Sequence, residues 1–147
     1  MQTSTQPSAL PAPLRLRVAA AIYDLLPLLG VWFLAGLLAL ACTAGALDPQ
    51  QHADKVLVQV LVLSLTAAYF VVSWTRGGQT IGMRAWRLRV VAADGNPLPW
   101  PRALLRFFLA LVSLAVLGAG FWWALLDADH RTWHDLVAGA AMVRLDS

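Results

Sequence analysis

Three apolar runs separated by two polar connections set the pattern of this chain. They extend from Val18 to Ala41, from Val56 to Trp74 and from Phe107 to Leu126. Each approaches the ~20 residues that a helix needs to cross hydrocarbon. None carries the polar face that a helix of this length shows on a soluble protein. Thr43 to Lys55, the first connection, is short and polar. The second, Thr75 to Arg102, holds Arg76, Arg84, Arg87, Arg89 and Arg102. Within it Trp86, Leu88 and Val90 alternate with Arg87, Arg89 and Val91, the period of a half-buried strand. Asp94-Gly95-Asn96-Pro97 then supplies strong turn signals. The pattern predicts an all-α polytopic membrane protein with three transmembrane helices, over 18–41, 56–74 and 107–126. A short amphipathic β-like element would lie in its second loop. Residues 1–13, with three prolines among Ser, Thr, Gln and Ala, are expected as a disordered tail ahead of a single domain over 14–147.

Composition agrees with lipid as the main solvent. Charged residues make up 13% of the 147 positions and apolar ones 59%, whereas soluble domains carry ~25% charged residues. There is no Glu, Lys55 is the sole lysine, and the net charge is +3. Because the arginines crowd beside apolar runs, their expected partners are anionic lipid headgroups and not nucleic acid. The positive-inside rule places the N-terminal tail and the second loop in the cytoplasm, so the chain is expected in the cell's inner membrane as a multi-pass protein. Arg84, Arg87 and Arg89 would face the cytoplasmic lipid surface. Cys42 is the lone cysteine, which rules out an internal disulfide. Arg15 and Arg17 imitate the start of a signal peptide, but the run that follows is too long and contains Asp24 and Pro27. Three crossings would leave 127–147 outside. A strand over Ala141–Leu145 would instead seek its partner in Arg87–Val91, on the inside, and the two arrangements exclude each other unless the third segment turns back. Three crossings are the working expectation.

Asp24 is the residue that asks most insistently for a function. An ionisable side chain at the centre of a span costs at least ~2.5–3.5 kcal/mol, and such residues face a partner or a watery cavity. Arg17 lies seven residues earlier, on the same helical face but two turns away, beyond ordinary side-chain pairing. Pro27 cannot donate to the carbonyl of Tyr23, which frees an acceptor near the carboxylate. Two readings follow: a landing place for a cation or proton, or a static ion pair with Arg102, Arg106 or Arg131.

A second cluster comprises Asp127, Asp129, His130, Arg131, His134 and Asp135. His130 and His134 stand at the i,i+4 spacing of a shared metal. No thiolate or glutamate accompanies them, and Arg131 would repel a cation, so interfacial hydrogen bonding is the preferred reading and no cofactor is expected. The stretch Gly77 to Arg84 lacks the Gly-Lys-Ser/Thr ending of a phosphate loop. Ser64, Ser73 and Ser113 have no evident base, so no catalytic residues and no enzyme are expected.

Arg17-Val-Ala-Ala-Ala-Ile-Tyr-Asp24, Gly78-Gln-Thr-Ile-Gly-Met-Arg84 with Leu88-Arg-Val-Val91, and His134-Asp135-Leu-Val-Ala-Gly139 together resemble the RDD family of small membrane proteins, named for an arginine and two aspartates. The resemblance runs from about Arg17 to about Val143. It implies that Arg17 and Asp24 are the arginine and first aspartate and Asp135 the second. Met83 stands where the family's glycine motif usually has a lysine, and Ala140 where its last motif has a threonine. The family's molecular function is largely unassigned, and transport of an unknown ligand is the customary suggestion. The resulting expectation is movement of an ion or small solute, with Arg17 and Asp24 lining the site and Asp135 and Arg106 as partners. Three spans enclose little volume, so self-association through Ala35, Gly36 and Ala39 is expected. The alternative is a non-transporting interaction or anchoring module in which Arg17, Asp24 and Asp135 form a structural charge lock.

Overall fold

A computed structural model describes residues 10–116 and 132–145. In chain order the elements are β1 (Leu10–Pro11), α1 (Leu14–Cys42), α2 (His52–Arg76), α3 (Ile81–Ala85), β2 (Leu88–Ala92), α4 (Trp100–Ala115), α5 (Trp133–Ala138) and β3 (Ala140–Arg144). At 1.5 Å per residue the 29 residues of α1 reach about 44 Å, more than a bilayer's hydrocarbon core. The helix continues through Pro27, which withdraws one donor from the ladder without ending it. Its buried residues (Arg17, Ala20, Asp24, Leu28, Ala35 and Ala39) fall at spacings of three, four and seven, a single narrow stripe. Beside them, Leu26, Leu29 and Phe33 are 58–71% exposed. Helix α2 is similar, with no buried residue in its most apolar window. A soluble core helix hides its apolar side chains inside the protein. These two present them outward, as helices solvated by lipid do. Among the described residues, α1 and α2 are the two helices long and apolar enough to cross a membrane.

The second loop is more structured than its sequence suggested. Thr80 caps α3 by accepting a hydrogen bond from the Met83 N–H at 3.2 Å. The predicted strand is present one residue later, as Leu88–Ala92, with Leu88, Val90 and Ala92 buried and Arg89 exposed between them. Gly95 takes φ +78° and Ala92 N–H bonds Asn96 O at 2.9 Å, so the turn signals end the strand as expected.

The fold is not all-α. β3 lies between β1 and β2 in a three-stranded antiparallel sheet. Its register pairs Leu88 with Arg144, Val90 with Met142 and Ala92 with Ala140. The expected disordered tail therefore ends earlier than residue 13: Leu10–Pro11 form a strand, and Ala12 is fully buried with its N–H on Met142 O at 3.0 Å. The inner face of the sheet joins one apolar core with Trp74, Met83, Leu98, Ala103, Phe107 and Ala138.

Sheet pairing does not support the three-crossing topology. β2 precedes α4 and β3 follows α5, and these strands are hydrogen-bonded neighbours. Arg106 of α4 also meets Asp135 of α5. Trp100 and Thr132 therefore lie at the same end of the molecule, and a third transmembrane helix is not among the described residues. Residues 117–126 of that expected span lie outside the described residues. The competing arrangement, strand pairing with the basic loop, is the one adopted.

Because β1 and β3 are paired, reporters fused to the two termini should register the same side of a membrane. Opposite signals from the N- and C-terminal fusions would contradict this sheet.

Candidate functional site

Two polar clusters sit at the sheet end of the helices. Asp24, 4% exposed, holds the first together. Its Oδ1 accepts from the Tyr69 hydroxyl of α2 at 2.7 Å and from the Gly82 N–H of α3 at 2.8 Å. Its Oδ2 accepts from the Thr80 hydroxyl at 2.5 Å. One carboxylate thus ties α1 to α2 and α3, using neutral donors throughout. This approach requires a glycine: a Cβ on residue 82 would lie 2.1 Å from the Ala20 carbonyl oxygen and 2.9 Å from Asp24 Cγ. Gly78 is demanded separately, at φ +68° and with its missing Cβ 2.6 Å from Val90 O. Gly78 and Gly82 are thus points where backbone presses on strand and helix.

The second cluster centres on Asp135, which is fully buried. Arg17 Nη1 donates to its Oδ2 at 3.0 Å and Arg106 Nε to its Oδ1 at 2.8 Å. The Thr132 hydroxyl adds a bond to Oδ2 at 2.6 Å. Arg17 also bonds Ala12 O at 3.0 Å and Met142 O at 3.5 Å, binding β1 and β3 to the base of α1. The Arg106 guanidinium lies 4.2 Å from the centroid of the Trp74 ring, a cation–π contact.

Arg17, Asp135 and Arg106 are therefore brought together as expected, while Asp24 is not their partner. Among the described residues Asp24 forms no ion pair with Arg102 or Arg106; Arg131 lies outside them. Seven residues of helix separate Arg17 from Asp24 by about 10 Å of rise, and each finds donors or acceptors nearer by. Arg84, Arg87 and Arg89 are exposed beside the sheet. His134 is buried and shares a 3.0 Å hydrogen bond with the Thr132 hydroxyl; His130 lies outside the described residues, as do Asp127 and Asp129. Among the described residues no group of three metal-ligating side chains comes together. Tyr69, Thr80, Gly82 and Thr132 were not anticipated. Thr132-x-x-Asp135 was legible as a helix-start pattern, whereas nothing local marked Tyr69.

Burial pulls the His134 pKa down to about 4, with Arg106 and Arg17 acting in the same direction against Asp135. Burial acts to raise the Asp135 pKa, but Arg106, His134, Arg17 and the Thr132 hydrogen bond together bring it down to about 2.

Both clusters line one cavity of about 400 Å³ between α1, α2 and α4. Arg17, Asp24, Arg106 and Asp135 are at its floor, and Leu28, Phe70, Phe107 and Leu111 are among its apolar walls. Residues of one chain line this volume.

Compared with known proteins, the chain matches the family model of the RDD family over residues 11–139. No curated protein and no solved structure matches it.

Gly82→Ala should lower thermal stability, because overpacking of a filled site costs ~1–3 kcal/mol and the Asp24 hydrogen bond goes with it; an unchanged melting temperature would contradict the close approach. Unfolded histidine protonates near pH 6.5 and folded His134 near 4, so stability should fall as pH drops between those values. The loss should reach about 3 kcal/mol. Denaturant unfolding across that window should flatten in His134→Gln. The stabilisation from Asp135 is present above pH ~3.9 and should disappear as pH falls through about 2.

Proposed function

This chain belongs to the RDD family of membrane-associated proteins, and on that premise we propose that it is a non-enzymatic binding module of the cell membrane. Its two charged clusters hold the scaffold, and the cavity between them takes a small molecule. Excess arginine around the sheet supports a cytoplasmic placement for that end, including the N-terminus, with Arg84, Arg87 and Arg89 against anionic headgroups. A multi-pass arrangement in an inner membrane is part of the same reading.

The observation that carries it is the engagement of every oxygen of the two carboxylates. Each oxygen of Asp24 and Asp135 accepts at least one hydrogen bond from a donor fixed in the protein, and these donors come from several different elements. A carboxylate that binds and releases a cation in each cycle would have to break these bonds each time. A charge lock has no such requirement. Transport of an ion or small solute is the second reading, favoured by one fact: Arg17, Asp24, Arg106 and Asp135 all line the same cavity.

Proton and sodium flux into proteoliposomes, wild type beside Asp24→Asn, separates the two. The binding module predicts no flux from either protein. It also predicts a destabilised mutant, since hydrogen bonds to a charged group are worth ~1.5–3 kcal/mol each. Flux that Asp24→Asn removes while its melting temperature stays at the wild-type value would establish the transport reading instead.

A further inference from the structure

Arg106 has hydrogen-bonding capacity that the described residues do not use. Its side chain is 3% exposed. Its Nε donates to Asp135 Oδ1 and its plane rests near Trp74. Among the described residues no hydrogen bond is made by its terminal nitrogens, Nη1 and Nη2. A guanidinium carries five N–H donors, four of them on those two nitrogens. Leaving a buried charged group short of acceptors is expensive, because it forfeits the water it had in the unfolded chain. Asp135 already accepts from Arg106 on Oδ1 and from Arg17 and Thr132 on Oδ2, and it takes the Nε proton of Arg106 and neither terminal nitrogen.

Arg106 lines the cavity. Above it on the same face of α4 come Ala110 and Leu114, one and two turns on, and both also line the cavity. Leu114 is 67% exposed, which puts the outer end of this stripe at the surface that the apolar helices turn outward. Facing it, the cavity follows α1 from Arg17 through Leu28 to Trp32, about 22 Å of helix rise. Trp32 Nε1 is itself satisfied by the Thr66 hydroxyl at 3.1 Å, so this upper end offers little to a polar ligand. The space has one cationic end and one long apolar end. Its 400 Å³ lies in the ~300–1,000 Å³ range of small-molecule sites.

We propose that this cavity binds an anionic amphiphile, with a phosphate or carboxylate head on the Arg106 terminal nitrogens and a hydrocarbon chain along Ala110, Leu111 and Leu114. Planar guanidinium donors match two oxygens of such a head at once. The chain would replace solvent against an apolar wall. This rests on the binding-module reading and names its ligand class. A bilayer phospholipid and a free single-chain amphiphile share this chemistry.

The test is saturable binding of radiolabelled dodecyl phosphate to the protein in phosphatidylcholine nanodiscs, against empty discs. Wild type should bind one equivalent. Arg106→Gln should weaken binding at least tenfold. Ala110→Trp should abolish it by filling the first turn of the chain's path while leaving every charged group in place, which keeps the test valid if Arg106→Gln does not fold. Dodecyltrimethylammonium should not compete. Loss of binding in phosphatidylglycerol discs would identify the bilayer lipid as the source of the head, and retained binding would identify the single-chain amphiphile. Equal competition by inorganic phosphate would overturn the requirement for a chain. Equal competition by dodecanol, still blocked by Ala110→Trp, would overturn the anionic head yet leave the binding module standing. No saturable binding of dodecyl phosphate or dodecanol to folded wild type would overturn both.

Discussion

A single buried carboxylate, Asp135, determines how the parts of this protein meet. Two arginines from two different helices converge on it, and one of them, Arg17, also reaches the backbone of Ala12 and Met142. Helix α1, helix α4, helix α5 and two strands of the sheet are therefore joined through one ion triad. Burying such a group is unfavourable unless its charge is paired and its lone pairs are filled. Here both conditions are met, and the requirement that they be met selects one arrangement of the elements. A shift of α4 against α1 by a turn would strand a charge away from water.

Asp24 plays a parallel part with different chemistry. It gathers α1, α2 and α3 through a phenol, an alcohol and a backbone N–H, without a cation. The distinction matters for function. Were Asp24 paired with an arginine, the cavity floor would be closed by ion pairs on both sides. With Asp24 engaged by neutral donors and Asp135 shared between two guanidiniums, the Arg106 terminal nitrogens have no partner among the described residues, beside an apolar space. The scaffold and the candidate site are two consequences of the same distribution of partners.

Some of this was legible along the chain. Long apolar runs without a polar face gave α1 and α2 to within four residues at each end, because lipid imposes a length and an apolar surface that no local context can mask. The alternation around Leu88 and Val90 announced β2, and the Asp94–Pro97 turn ended it. Arg17, Asp24 and Asp135 stood out because charges are rare where they lie. The pairing did not follow from their prominence. Arg17 and Asp24 share a helix face, yet each is satisfied by residues far off in sequence: Asp135 for one, Tyr69, Thr80 and Gly82 for the other. The glycines of the second loop looked like turn residues, and only the packed structure shows that Gly82 must lack a Cβ for its N–H to reach a carboxylate.

The sequence by itself therefore determined the solvent of this protein, the extent of its long helices and the identity of its costly residues, since each of these depends on composition and local period. Tertiary structure decided that the C-terminal strand joins the N-terminal one, that Trp100 and Thr132 lie at the same end of the molecule, and which partner each buried charge takes. Strand partners and ion pairs are settled by long-range hydrogen bonds and by the demand that no buried polar group be left alone. Neither leaves a periodic trace in the residues that happen to meet.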